Sequence, residues 1–407
     1  MNTIDQIFPN QKIDNIESII NKQFNLANLQ IKPGSRIAVA VGSRGINNIA
    51  QIVKTVVENL KSKKAKPFIV PAMGSHGGAT ALGQKEILHK LGITKDCIGA
   101  EIVSSMDVVE LDSSNHTNRI YMDINAYERD GIILINRIKP HTSFHSTFES
   151  GLVKMATIGL GKQAQASEIH GHGVYGLKNY IPTTAKKVID TGKIILGLAI
   201  VENAYDETHT ISAINAKDIL IEEPKLLQTA KDLMPSLPIS EIDILLVDQC
   251  GKNISGTGLD PNIIGKLKIV GEDEPKSPNI KYILIDDLTE RSLGNAMGMG
   301  FADLVTKKFQ SKIDYQATYA NVITTTFFER VKLPIVVANP QVGYNNFVRA
   351  LSTVKEKKLK VVRIKNTLDI STLQVSDSVL NKIDQTKIDI INRSQSIFSN
   401  NGELIHI

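Results

Sequence analysis

The stretch RIKPHTSFHSTFESGLVKMATIGLGKQAQASEIHGHG, Arg137 to Gly173, holds four of the nine histidines, three lysines (Lys139, Lys154 and Lys162) and repeated glycines. Imidazole accepts and returns a proton near neutral pH, so such a stretch suits acid/base work on a small molecule. His170 and His172 in HGHG lie two apart, which fits neither the helical HExxH spacing nor a four-ligand zinc site. A single imidazole could instead complete the shell of a metal carried by an organic cofactor. ATIGLGKQ departs from the Walker pattern and is read as a short anion-binding turn. Two further polar groups stand out earlier in the chain: Arg44 in GSRG, and His76 between the glycines of MGSHGG. Glu149, Glu168, Asp206 and Glu207 read as solvated surface acids.

The elements that must position these groups are legible as alternating strands and helices. RIAVAV (36–41) runs through a turn into INNIAQIVKTVVENLKSKK, whose apolar residues recur at helical spacing. KPFIVPAM runs through GSHGG into ATALGQKEILHKLG, and GIILINRI (131–138) runs into the polar loop KPHTSFHSTFESG. Four more apolar runs follow: KIILGLAIVEN, IDILLVDQ, KYILIDDL and LPIVVANP. The alternation predicts an α/β fold with mainly parallel sheets flanked by helices. Ligands of such sheets bind beyond the carboxyl ends of the strands. Arg44, His76 and His141 each follow a predicted strand by a few residues, so they meet at one edge if those strands are parallel neighbours. The proline-rich seam near Glu222–Glu241 suggests two domains, 1–238 and 239–375, with the site in the cleft between them. The tail, 376–407, carries an expected helix over DSVLNKIDQTKIDIINRS that could pack back on the first domain.

Taken in order, SR at Arg44, GSHG at His76, KPH at His141, SGLVK at Lys154, His170 and SGTGLDPNIIGKLK form a set. The set resembles the nickel-pincer-nucleotide-dependent lactate racemase family over most of the chain. Sixteen positions separate Lys154 from His170, and thirty-two separate Arg44 from His76, close to that family's arrangement. The resemblance implies an isomerase, a racemase or epimerase of a 2-hydroxy acid. It implies that Lys154 links covalently to the nickel-pincer nucleotide and His170 ligates nickel. His76 and His141 would be the acid/base pair, with His145 competing for the second place. Arg44 would bind substrate, and Lys268 would reach its carboxylate across the cleft, with Lys266 as the nearby alternative. The chain departs from the family at Leu152 and Val153, where two glycines usually precede the lysine, and at Val41, Gly45, Ile264 and Gly265. These departures point to a 2-hydroxy acid other than lactate. They also leave open a non-catalytic, ligand-binding descendant that has lost the cofactor.

The chemistry makes such a residue set useful. The Cα–H of a hydroxy acid is barely acidic beside an ionised carboxylate. Removing the hydrogen with its electron pair, while a base takes the hydroxyl proton, is the easier route to inversion. An NAD-linked oxidoreductase is the competing enzyme class, and the lack of GxGxxG after any strand counts against it.

Composition sets the remaining bounds. The chain has 407 residues, 42% of them hydrophobic, enough for more than one core. A net charge of +5 arises from dispersed Lys and Arg, and there is no Trp, so no nucleic-acid partner is expected. MNTIDQIFPNQKIDNIESII contains acids and no long apolar run, so neither a signal peptide nor a membrane span is expected. Cys97 and Cys250 stand alone, as in a reducing cytoplasm.

Overall fold

In the computed structural model, which describes residues 1–114 and 117–406, the chain divides into two compact units. One is residues 9–234, and the other joins residues 1–8 to residues 235 onward. The opening strand, β1 (Asn2–Gln6), belongs to the second unit.

The first unit is built on a five-stranded sheet. Its members are β2 (Arg36–Val41), β3 (Lys66–Pro71), β6 (Gly131–Arg137), β7 (Ile194–Glu202) and β8 (Thr208–Asn215). Between β3 and β6 in the chain, β4 (Val108–Leu111) and β5 (Ile120–Asp123) form a separate antiparallel pair. The order is β3-β2-β6-β7-β8, parallel except for β8. Side chains alternate across a strand, and β2 shows why both faces are covered. Ile37, Val39 and Val41 join a core with helices Ile16–Ala27 and Ile49–Ser62, while Ala38 and Ala40 join one with Leu152, Val153 and Met155. Each fully buried Ile, Leu or Val contributes about 1.5–3 kcal/mol, so both faces are strongly committed.

The second unit carries β9 (Glu241–Cys250), β10 (Asn279–Leu288), β11 (Leu304–Thr306), β12 (Ile335–Val337), β13 (Val361–Ile364), β14 (Thr372–Val375) and β15 (Ile388–Asn392). Their order is β12-β11-β10-β9-β13-β14-β1-β15, parallel from β12 to β13 and antiparallel thereafter. Helix Pro340–Ala350 covers this sheet through Phe347, which stacks on Tyr282 with ring centroids 4.9 Å apart. Buried Arg363 on β13 grips Asp248 on β9 by two bonds of 2.8 Å and also donates to Gln374 on β14 at 2.9 Å.

The α/β, parallel-rich architecture agrees with the sequence pattern. Two expectations change. Residues 1–8, placed with the first domain from sequence, instead pair in the second sheet, where β1 fills the gap between β14 and β15. The tail helix is only Asp377–Leu380; residues 388–392 are a strand, because Ile388 and Ile390 find backbone partners on β1. No described helix is long and apolar enough to cross a membrane.

Candidate functional site

Strands β3, β2 and β6 are parallel neighbours, so the loops after them emerge at one edge of the sheet. These loops carry His76, Arg44 and His141. Helical residues 152–170, which carry Lys154 and His170, pack on the same sheet through Leu152, Val153 and Met155. After Lys154 the helix widens to π geometry over Met155–Gly159, a distortion that recurs at functional sites.

The His76 loop is shaped by backbone. Gly77 has φ +67° and lies so close to Gly83 that a Cβ there would sit 2.5 Å from its carbonyl carbon, which only glycine tolerates. Buried Gln84 donates to the carbonyls of Gly74 at 2.8 Å and His76 at 3.3 Å. Gly74 N–H reaches the Gly159 carbonyl at 3.3 Å, tying the loop to the Lys154 helix. Ser43, beside Arg44, makes a short hydrogen bond with His76 Nδ1. Crowding by protein atoms, then the cations of Arg44 and Lys154, push the His76 pKa down to about 4. The residue as a whole is exposed, so the direction carries the argument: His76 is neutral at pH 7.

His141 and Lys154 meet directly, with Nε2 and Nζ 2.7 Å apart. The backbone N–H of Ser143 donates to His141 Nδ1 at 3.0 Å, so Nδ1 is an acceptor and a neutral ring carries its proton on Nε2. In its amine form Lys154 receives that proton's hydrogen bond. Its pKa falls to about 8, first through burial and then through the Arg44 cation. His170, at the end of helix Lys162–His170, is also held below its usual range, by its protein surroundings and then by Lys154. These five groups, Arg44, His76, His141, Lys154 and His170, are thus linked by contact or by charge.

His145 does not share that contact. Its Nδ1 lies 3.5 Å from Glu149, turned toward a carboxylate rather than toward Lys154. Lys268 and Lys266 lie in the second unit, after the short helix Pro261–Ile264. Lys268 has φ +50° and its N–H donates to Glu274 at 2.9 Å, while burial lowers the Lys266 pKa.

Two carboxylates that hold the site were not found from sequence. Glu149, read as a surface acid, is fully buried: it accepts from His141 N–H at 2.6 Å and pairs with Lys231 at 2.7 Å. Glu223, buried on helix Ile219–Asp232, accepts from Val153 N–H at 2.9 Å, one residue before Lys154. Gly151 is extended, yet a Cβ there would come 2.3 Å from Glu223 Oε1, so the turn closes only over a glycine. Asn136, at the end of β6, donates to the Gly151 carbonyl at 2.8 Å. One helix, 219–232, therefore braces both partners of the His141–Lys154 contact.

Burial pushes the Glu223 pKa up from 4.5 to about 7. A raised folded-state value stabilises at low pH and costs stability as pH rises through it. Glu223→Gln is expected to flatten the fall in stability between about pH 4.5 and 7, read from urea midpoints across that range.

Lys162, read as part of an anion-binding turn, is corrected to a structural cation. It is fully buried, 3.0 Å from Asp123, with Pro71 O at 2.5 Å and Gln84 Oε1 at 3.2 Å. Its donors are consumed in fixing the end of β3 and the brace of the His76 loop. Lys162→Met strands a buried carboxylate and is expected to cost about 3–5 kcal/mol, seen as a lower urea midpoint.

No family model matches the chain, and no curated protein matches it by sequence. Solved structures share its fold, among them the following two. One is a Thermotoga maritima protein, 12% identical, with a TM-score of 0.50 over 88% of this chain and 98% of that one. The other is the lactate racemase apoprotein from Thermoanaerobacterium thermosaccharolyticum, 10% identical, with a TM-score of 0.50 over 90% of this chain and 99% of that one. At such identities the likeness establishes a lactate racemase-like fold.

Proposed function

We propose that this chain, folded like lactate racemase, is a racemase or epimerase of a small 2-hydroxy acid that carries a nickel-pincer nucleotide on Lys154. The observation that supports the reading best is the 2.7 Å contact between His141 and a lysine with no carboxylate partner among the described residues.

The residues suit the group. Lys154 in its amine form can bond to a carboxyl-derived carbon of the cofactor. His170, kept neutral, retains a lone pair for nickel. Among the described residues no three His, Cys, Asp or Glu side chains gather as metal ligands, so His170 would be one donor beside those of the nucleotide itself. When bound, the group supplies an electrophilic centre for the substrate's Cα hydrogen and its electron pair.

The chain's own residues do the rest. Arg44 suits a carboxylate, which a guanidinium holds bidentately. His76, neutral at pH 7, is the base for the hydroxyl proton. His141 is the second imidazole, a base when neutral and the matching acid once protonated, so the two serve opposite hydroxyl orientations. Lys268 is the second-unit candidate for the carboxylate, carried by the sequence motif alone.

The experiment is a panel of single-enantiomer 2-hydroxy acids incubated with cofactor-loaded protein in deuterated water. Inversion without deuterium at Cα is the expected result. Deuterium at Cα indicates proton abstraction instead and removes the reading.

A further inference from the structure

Two lysines eight positions apart have opposite surroundings, and the contrast assigns a second reactivity to the chain. Lys162 touches a carboxylate, a carbonyl and an amide oxygen, all acceptors, which favour its ammonium form against the burial that lowers its pKa. Lys154 has no carboxylate partner among the described residues; its polar contact is an imidazole nitrogen, and the Arg44 cation acts on it through charge. The Ser143 N–H on the far side of the ring leaves the Nε2 proton pointing at the amine. A half-buried lysine under the influence of a cation is the arrangement that makes amines attack carbonyls.

We propose that the chain without cofactor uses Lys154 as an imine-forming nucleophile toward small carbonyl acids of the 2-oxo acid class. Arg44 gives the acid's carboxylate a counter-charge, and His141 manages the protons. Nζ turns its lone pair from His141 to the carbonyl carbon, a C–N bond forms, and the carbonyl π electrons move to oxygen. One of the two amine protons passes to that oxygen by way of His141 Nε2, and the second follows as the C–O bond breaks. The oxygen leaves as water while the nitrogen lone pair closes the imine. Amine and carbonyl become imine and water, and nothing is oxidised or reduced. This inference goes beyond the racemase reading and needs no nickel or nucleotide.

The test uses the full chain purified from a host that does not make the cofactor, incubated at pH 8 with pyruvate and cyanoborohydride, then read by intact mass and peptide mapping. One reduced pyruvate adduct per chain, located on Lys154, is expected. An ordinary exposed lysine is under 1% amine at that pH, so Lys154 should label about 100-fold faster than the other lysines, and Lys162 not at all. Acetone, which lacks the carboxylate, should label it far more slowly. Lys154→Arg should lose the adduct, and Arg44→Gln should slow labelling by pyruvate more than by acetone. Adducts scattered over surface lysines, or an equal rate at Lys154 and the rest in the unaltered chain, overturn the proposal without reference to any variant's folding. Because the cofactor takes no part, a negative result leaves the inversion experiment standing, and a failed inversion experiment leaves this one standing.

Discussion

Lys154→Ala, produced in a host that makes the nickel-pincer nucleotide, is expected to emerge with neither adduct nor turnover. Intact-mass spectrometry of the unaltered chain should show one nucleotide per protein, and the variant none. The loss should be complete rather than graded, because Lys154 is the one lysine of the cluster among the described residues, and its nitrogen faces an imidazole. Folding should survive the change. The lysine has no ion pair among the described residues, and the carboxylate beneath it, Glu223, bonds to backbone N–H and not to its side chain. A variant that still carries the adduct would locate the attachment elsewhere and dissolve the assignment of the site.

His76→Ala is expected to give the complementary result: adduct retained, turnover reduced by about 10²–10⁴-fold, the usual contribution of a positioned general base. The unaltered protein should also hold its rate well below the pH at which ordinary histidines protonate. Its pKa near 4 means that the base is lost only as pH falls toward that value. The acid limb of kcat/KM, measured from pH 4 to 8, checks the sign. A limb centred near 6.5 would show that His76 is not the base. Parental turnover in His76→Ala would show the same.

The parallel strands of the first unit were readable because each is a short apolar run ending in a turn, and Arg44, His76 and His141 were readable because they follow such runs. What escaped notice depended on partners far away in the chain. Glu149 looks like any loop acid until Lys231, from another helix, is brought against it. Glu223 did leave a trace. It shares the buried stripe of its helix with Ile219, Leu227 and Ala230, and an acid on such a stripe needs a reason for being there. The strand at 388–392 was misread as a helix because its apolar residues fit both periods, and only pairing with β1 decides between them. The role of Lys162 was equally unreadable, since its partner Asp123 lies on a strand of the small antiparallel pair.

The placement of β1 bears on the protein's birth as well as its architecture. Strand β1 is made before residues 9–234, and both its neighbours, β14 and β15, are made after them. Residues 9–234 can therefore mature while β1 still waits, and the second sheet closes only once β14 and β15 have been made. Until then β1 has neither strand neighbour, and its backbone edges must be satisfied by water.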